Sequence, residues 1–232
     1  MKTPPRALSL DLDDTLWPIW PSIERAERAL DAFLQQHCPR TAQRYPIHRM
    51  RQLREVIAAR HPQYLHDFSH QRVLSLRHAL EESGDDVAHA EPAYEAFFAT
   101  RNQVDFYPDA LAALARLSAR LPLAALTNGN ADLARIGIQD HFQVFVSARD
   151  HGQAKPETPI FHATCERLGV APADVLHIGD DPMMDVVGAQ RAGMPSCWIN
   201  RRKERWPADL PRPDLEFATL ADLADWLDRT HP

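Results

Sequence analysis

From Asp105 onward the apolar residues keep changing period, and that alternation narrows the fold more than any other feature of the chain. Leu111, Leu114 and Leu117 recur at helical spacing, and Pro122–Thr127 is then a short apolar run. Phe142–Val146, Asp174–Ile178 and Ser196–Ile199 repeat the short run, with helical stretches at Pro156–Leu168 and Pro182–Ala192. Ala7–Leu10 is one more run of the same kind. Short buried strands alternating with helices of about 12 residues predict an α/β fold, a Rossmann-like, doubly wound parallel sheet with helices on both faces. One more strand and helix are expected after the loop marked by Pro207, Pro211 and Pro213.

The stretch in between reads differently. Ile23, Ala26, Leu30, Phe33 and Leu34 follow helical spacing, as do Met50, Leu53 and Ile57, then Leu65, Phe68, Leu76 and Leu80, then Ala93, Phe97 and Phe98. Of the eight glycines only Gly84 precedes residue 128, so turns are concentrated in the second half. The expected organisation is a core of residues 1–16 and 105–232, interrupted at 17–104 by an all-helical insertion. A length of 232 residues suits one such interrupted core, at roughly 150 residues per domain.

Several function classes drop out early. The longest stretch without Asp, Glu, Lys or Arg, Leu121–Ala131, is far short of the ~20 residues that span a bilayer. Ala7–Leu10 is too short for a secretion signal, so neither membrane nor export is expected. A formal charge of −6 argues against nucleic acid as a partner held by the overall field. Cys38, Cys165 and Cys197 are odd in number and widely spaced, which fits buried free thiols in a cytoplasmic protein. A monomer or weak homodimer is expected.

In open parallel sheets ligands bind beyond the carboxyl ends of the strands. Those ends carry Asp11-Leu-Asp-Asp-Thr15, Thr127-Asn-Gly-Asn130, Lys155-Pro156 and Gly179-Asp-Asp-Pro-Met-Met-Asp185. Taken singly, each has an ordinary structural use: Asp13, Asp14 and Thr15 could cap a helix, and Asp181-Pro182 reads as a helix start. Their occurrence in this order at successive strand ends points instead to one site. Asp11, Asp13, Asp180 and Asp185 would then gather near one point. Two like charges 4 Å apart repel by roughly 4 kcal/mol at an effective dielectric of 20, so protons or a cation must intervene. An all-oxygen site favours Mg²⁺ over zinc.

Mg²⁺, the Lys155 ammonium, the Thr127 hydroxyl and turn N–H groups at Leu12, Asn128 and Gly129 together complement a phosphoryl group. Asp11, at the strand end, is placed to attack phosphorus, and Asp13 to protonate the leaving oxygen and then deprotonate water. The expected partner is a small-molecule phosphate monoester. Trp17 and Trp20 follow the nucleophile loop and could stack on a planar substrate ring or pack between cap and core.

These residues resemble the haloacid dehalogenase superfamily, whose four motifs are matched by Asp11-x-Asp13-x-Thr15, Thr127-Asn128, Lys155-Pro156 and Gly179-Asp180-x4-Asp185. The insertion resembles the type 1 helical cap. The resemblance implies that Asp11 is nucleophile and Mg²⁺ ligand, and that Asp13 is acid/base and binds the metal through its carbonyl. It further implies that Thr127 and Lys155 hold the phosphoryl group and that Asp180 and Asp185 hold the metal, Asp185 directly or through water. Dehalogenases of the superfamily lack the carboxylate found here at Asp13, which implies a phosphate ester. Leu10–Leu16, Thr127–Ala131, Leu176–Asp181 and Cys197–Ile199 resemble a branch that includes phosphatases acting on flavin mononucleotide and on 5-amino-6-(5-phospho-D-ribitylamino)uracil. A phosphosugar mutase and a non-catalytic binder of phosphorylated ligands are the alternatives.

Overall fold

The computed structural model describes residues 4–230, which divide into two compact units: residues up to Pro18 together with those from Asp105, and Ile19–Val104. In the first unit the described residues form a six-stranded sheet from β1 (Ala7–Leu10), β2 (Leu123–Thr127), β3 (Val144–Ser147), β4 (Val175–Gly179), β5 (Ser196–Ile199) and β6 (Leu215–Phe217). The order is β3-β2-β1-β4-β5-β6 and every pairing is parallel. The expected doubly wound parallel sheet is therefore found.

The sheet holds together because its inner strands are apolar on both faces, as a strand covered on both sides must be. β1, β2, β4 and β5 are buried at every residue. Leu126, Val146 and Val175 pack with Ile160, Phe161 and Cys165 of the helix Thr158–Leu168. The strand order reverses between β1 and β4, so their carboxyl ends flank the crevice where such sheets bind ligands. Leu10 pairs with Ala125 on one side and Ile178 on the other, which brings Asp11 level with the end of β4. All three cysteines are buried and free.

The second unit is helical: α1 (Ile19–His37), α2 (Pro39–Arg44), α3 (Ile47–Arg60), α4 (Phe68–Ser83) and α5 (Ala90–Arg101). Ala26, Leu30 and Leu34 form one stripe of α1 and pack with Met50, Leu53, Ile57, Leu76, Leu80 and Phe97. Leu65 and Phe68 depart from the expected apolar face. The Asp67 side chain accepts from the His70 N–H and so caps α4 at Phe68, leaving Leu65 in the preceding turn and both residues exposed. Among the described residues no helix is long and apolar enough to cross a membrane.

Candidate active site

The loop after β1 curls back on itself. The Asp11 N–H extends the sheet by donating to the Ile178 carbonyl (2.9 Å). Asp14 then adopts a left-handed backbone (φ 59°), a conformation Asp tolerates better than most residues, and its N–H donates to the Trp17 carbonyl at 2.8 Å. The curl keeps Asp11 and Thr15 at the sheet end. The Thr15 hydroxyl lies 3.2 Å from Asp180 Oδ1 and 3.4 Å from Asp11 Oδ2. Arg201, just after β5, braces the loop from outside by donating to the Thr15 carbonyl and to Asp109.

Lys155 is the electrostatic centre. Its ammonium lies 2.6 Å from both Asp11 Oδ1 and Asp185 Oδ1, and all three residues are buried. Burial alone would lower the Lys155 pKa, but Asp11 and Asp185 outweigh it and hold the amine protonated well above the usual lysine range. Asp185 is opposite in sign: against the pull of burial, Lys155 and His177 hold its carboxyl well below the usual range. Its Oδ2 accepts from the Asp181 N–H (3.0 Å). Asp185 sits so close to the end of β4 that a Cβ on Gly179 would fall 2.2 Å from its carboxyl carbon, so no other residue fits at 179. Pro182–Val187, expected as an ordinary helix start, is π-helical, a form that recurs at functional sites; the Asp181 carboxylate caps it as expected.

Charge is left over. Burial pushes the Asp11 pKa up to about 7, with Asp185 adding to the rise and Lys155 opposing it. Asp180 is pushed to about 8 by burial and by its Asp11 and Asp185 neighbours. One oxygen from each of Asp11, Asp180 and Asp185 lies within 4.8 Å of the others, an all-oxygen donor set that fits a hard divalent cation.

A pH prediction follows from those two raised carboxyls. Between about pH 4 and 8 the folded protein holds protons at Asp11 and Asp180 that the unfolded chain, with carboxyl pKa 3.8, has released. More protons bound by the folded state means that stability falls as pH rises through this window. A divalent cation competes with those protons, so Mg²⁺ is expected to raise the unfolding temperature more at pH 8 than at pH 5. Thermal unfolding at both values, with Mg²⁺ and with EDTA, checks it. An equal Mg²⁺ shift at both would exclude these carboxyls as its site.

The other expected residues are placed as follows. The Asn128 side chain braces the Lys155 backbone, accepting from its N–H (2.8 Å) and donating to its carbonyl (2.9 Å). The Gly129 N–H donates to the Thr127 hydroxyl at 2.9 Å, a bond within the turn. Leu12 packs in the core. Trp17, expected either to stack on a substrate ring or to pack between cap and core, is 0% exposed, edge-on to Phe106, because the curled loop turns its ring inward. Trp20, on α1 of the helical unit, is 54% exposed, with the Arg51 guanidinium over its ring.

His177 is not among the expected site residues. Buried in β4, it bridges Asp185 Oδ1 through Nε2 (3.1 Å) and the Ser9 hydroxyl through Nδ1 (3.0 Å). Burial lowers its pKa, and because a carboxylate only accepts, Nε2 is the nitrogen that donates to Asp185. Ser9 and His177 are register partners on adjacent strands, and two polar residues inside otherwise apolar runs are the available signal.

Comparison with known proteins agrees with this arrangement. The family model of the haloacid dehalogenase-like hydrolases matches residues 5–193. The chain belongs to that family. It is 33% identical over 225 residues, covering 94% of each chain, to the 5-amino-6-(5-phospho-D-ribitylamino)uracil phosphatase YigB of Escherichia coli. It is 39% identical over 155 residues, 63% of this chain and 61% of the relative, to a phosphoserine phosphatase of Thermus thermophilus. A solved 2-haloacid dehalogenase from Pseudomonas syringae pv. tomato superposes with a TM-score of 0.90 at 35% identity, covering 97% of this chain and 98% of that one. The chain is thus a haloacid dehalogenase-like hydrolase, with relatives named for both phosphatase and dehalogenase activity.

Proposed function

We propose that this hydrolase cleaves phosphate monoesters by carrying the phosphoryl group on Asp11. The observation that carries the proposal is the pairing of Asp11, held against the Lys155 ammonium, with a second carboxylate at Asp13 on the same curled loop. An Asp11 oxygen attacks phosphorus and the ester P–O bond breaks. The electron pair leaves on the alcohol oxygen, which takes a proton from the Asp13 carboxyl. Water then gives a proton back to Asp13 and attacks the acyl phosphate. The Asp11–phosphorus bond breaks with its electrons returning to the carboxylate, releasing inorganic phosphate. Lys155 and the Thr127 hydroxyl are assigned the charge on the transferring oxygens.

Asp11, Asp180 and Asp185, with the Asp13 carbonyl that the family resemblance adds, would hold Mg²⁺. The bound cation would neutralise phosphoryl charge and the leftover carboxylate repulsion. The helical unit enters the chain directly after the nucleophile loop, and we assign it the specificity role of a cap. A cytoplasmic location, supported by the three buried free thiols, and a monomeric or weakly dimeric state are part of the same proposal.

For substrate, the YigB relative matches along 94% of both chains, which supports a ribityl phosphate such as 5-amino-6-(5-phospho-D-ribitylamino)uracil or flavin mononucleotide. The test is Mg²⁺-dependent phosphate release across these two, phosphoserine, sugar phosphates and nucleotides, with halide release from 2-chloropropionate measured alongside. Phosphate release strongest on the ribityl esters is expected. Release confined to other esters would remove the substrate assignment and keep the chemistry. Halide release without phosphate release would replace the proposal by dehalogenation, and phosphoryl return to the substrate without release would replace it by a mutase.

A further inference from the structure

We infer that Trp17 is the positioning residue for Asp13, fixing the direction of its carboxylate during phosphoryl transfer. The inference rests on the acid/base role proposed for Asp13 and deepens it. The indole Nε1–H of Trp17 donates to Asp13 Oδ1 at 2.8 Å. A backbone bridge between Asp13 and Trp17, which includes the Asp14 N–H bond to the Trp17 carbonyl at 2.8 Å, keeps the pair together. The ring has little freedom, being fully buried with its plane at 86° to Phe106 and the ring centroids 5.5 Å apart.

A buried indole N–H needs an acceptor, and any backbone carbonyl would satisfy packing. Here the acceptor is the carboxylate that the reaction uses. Indole is a donor only, so Trp17 takes no part in proton transfer itself. By binding Oδ1 it fixes the direction of the carboxylate that gives the proton to the leaving alcohol and takes it from water. A donor on an immobile bicyclic ring sets the carboxylate's direction in advance, and small errors in such direction are costly to rate. Trp17 also lies next to Pro18, where the chain passes into the helical unit, so one residue closes the nucleophile loop and begins that passage.

The test compares Trp17→Phe and the isosteric Trp17→3-benzothienylalanine, which swaps the N–H for sulfur and keeps the ring shape, with Asp13→Asn. Each full-length variant is checked for folding by circular dichroism and assayed with Mg²⁺ on an alkyl phosphate and on p-nitrophenyl phosphate. An alkoxide leaves poorly without a proton, whereas p-nitrophenolate leaves well unaided. Both Trp17 variants are expected to lose about 10- to 100-fold on the alkyl ester, part of the 10²–10⁴ that acid–base catalysis supplies. On p-nitrophenyl phosphate they should show a burst of one p-nitrophenol per enzyme followed by slow turnover, because phosphoenzyme hydrolysis still needs the base. Asp13→Asn should show the same pattern more strongly. Wild-type rates in the benzothienyl variant beside an impaired Asp13→Asn would overturn the inference, as would equal losses on both esters with no burst. Wild-type turnover in Asp13→Asn would instead remove the acid/base role on which it rests.

Discussion

Replacing Asp11 with Asn is expected to abolish turnover, with a loss on the order of 10⁴-fold or more, as when a covalent nucleophile is removed. The variant should nevertheless fold. Asn keeps the shape of the side chain: its carbonyl oxygen can still accept from Lys155, and its amide N–H can donate to the Thr15 hydroxyl. It also removes one of three mutually repelling carboxyls: Asp185 raises the pKa of Asp11, and Asp11 raises that of Asp180. Without divalent cation at pH 8, Asp11→Asn should therefore unfold at a temperature no lower than wild type. Phosphate release and thermal unfolding of the same preparation check both halves. Near-wild-type release would remove Asp11 as the phosphoryl carrier.

Lys155→Met should have the largest effect on the fold. Met fills the volume of the lysine stem but leaves Asp11 and Asp185 buried with no ammonium between them. Breaking a buried ion pair from one side costs about 3–5 kcal/mol, because the surviving charge stays desolvated. The cost should be smaller at pH 5 than at pH 8, since at low pH the stranded carboxyls can take up protons, and Mg²⁺ should restore part of it at pH 8. Catalysis should fall by about 10²–10³-fold, the scale seen when one stabilising donor is lost. Urea unfolding at the two pH values measures the first effect. A loss independent of pH and Mg²⁺ would mean that packing, not charge, is what Lys155 contributes.

Much of this site is legible in the amino-acid sequence, for a physical reason. A parallel sheet makes its strands uniformly apolar, so polar residues mark where each strand stops, and the stops of adjacent strands lie side by side. Asp11, Thr127 and Asp180 each stand at or just beyond such a stop, and Lys155 follows β3 after the short helix Ala148–His151. Side-chain direction is not legible in the same way. Asn128 and Lys155 are 27 residues apart, and the two bonds between them exist only because their loops meet across the sheet end. Trp17 is recognisable as a large apolar residue near the site. Its inward turn depends on the left-handed backbone at Asp14, which no periodicity reports. His177 lies inside a strand run, where a lone polar residue reads as tolerated until its register partner Ser9 and its contact with Asp185 are seen together.

The same limit applies to the helical unit. Its core follows from the spacing of Ala26, Leu30 and Leu34, but the buried charges within it do not. Glu27 is buried beneath Arg51 and Arg54, and the Arg72 guanidinium lies 3.5 Å from the centroid of the Phe97 ring. Burial lowers the Arg72 pKa to about 9. From composition alone, the six arginines between Arg40 and Arg60 look like a solvated face; Arg51 and Arg54 instead turn inward to a buried carboxylate.

The most direct test of the central claim is chemical capture of the intermediate. The enzyme, turning over a ribityl phosphate with Mg²⁺, is quenched in acid, reduced with borohydride and digested, and the peptide containing residues 7–24 is sequenced by mass spectrometry. Borohydride converts an acyl phosphate to the corresponding alcohol, so the proposal predicts reduction at residue 11, dependent on substrate and absent in Asp11→Asn. Reduction at another carboxylate, or none while phosphate is released at full rate, would contradict phosphoryl transfer through Asp11.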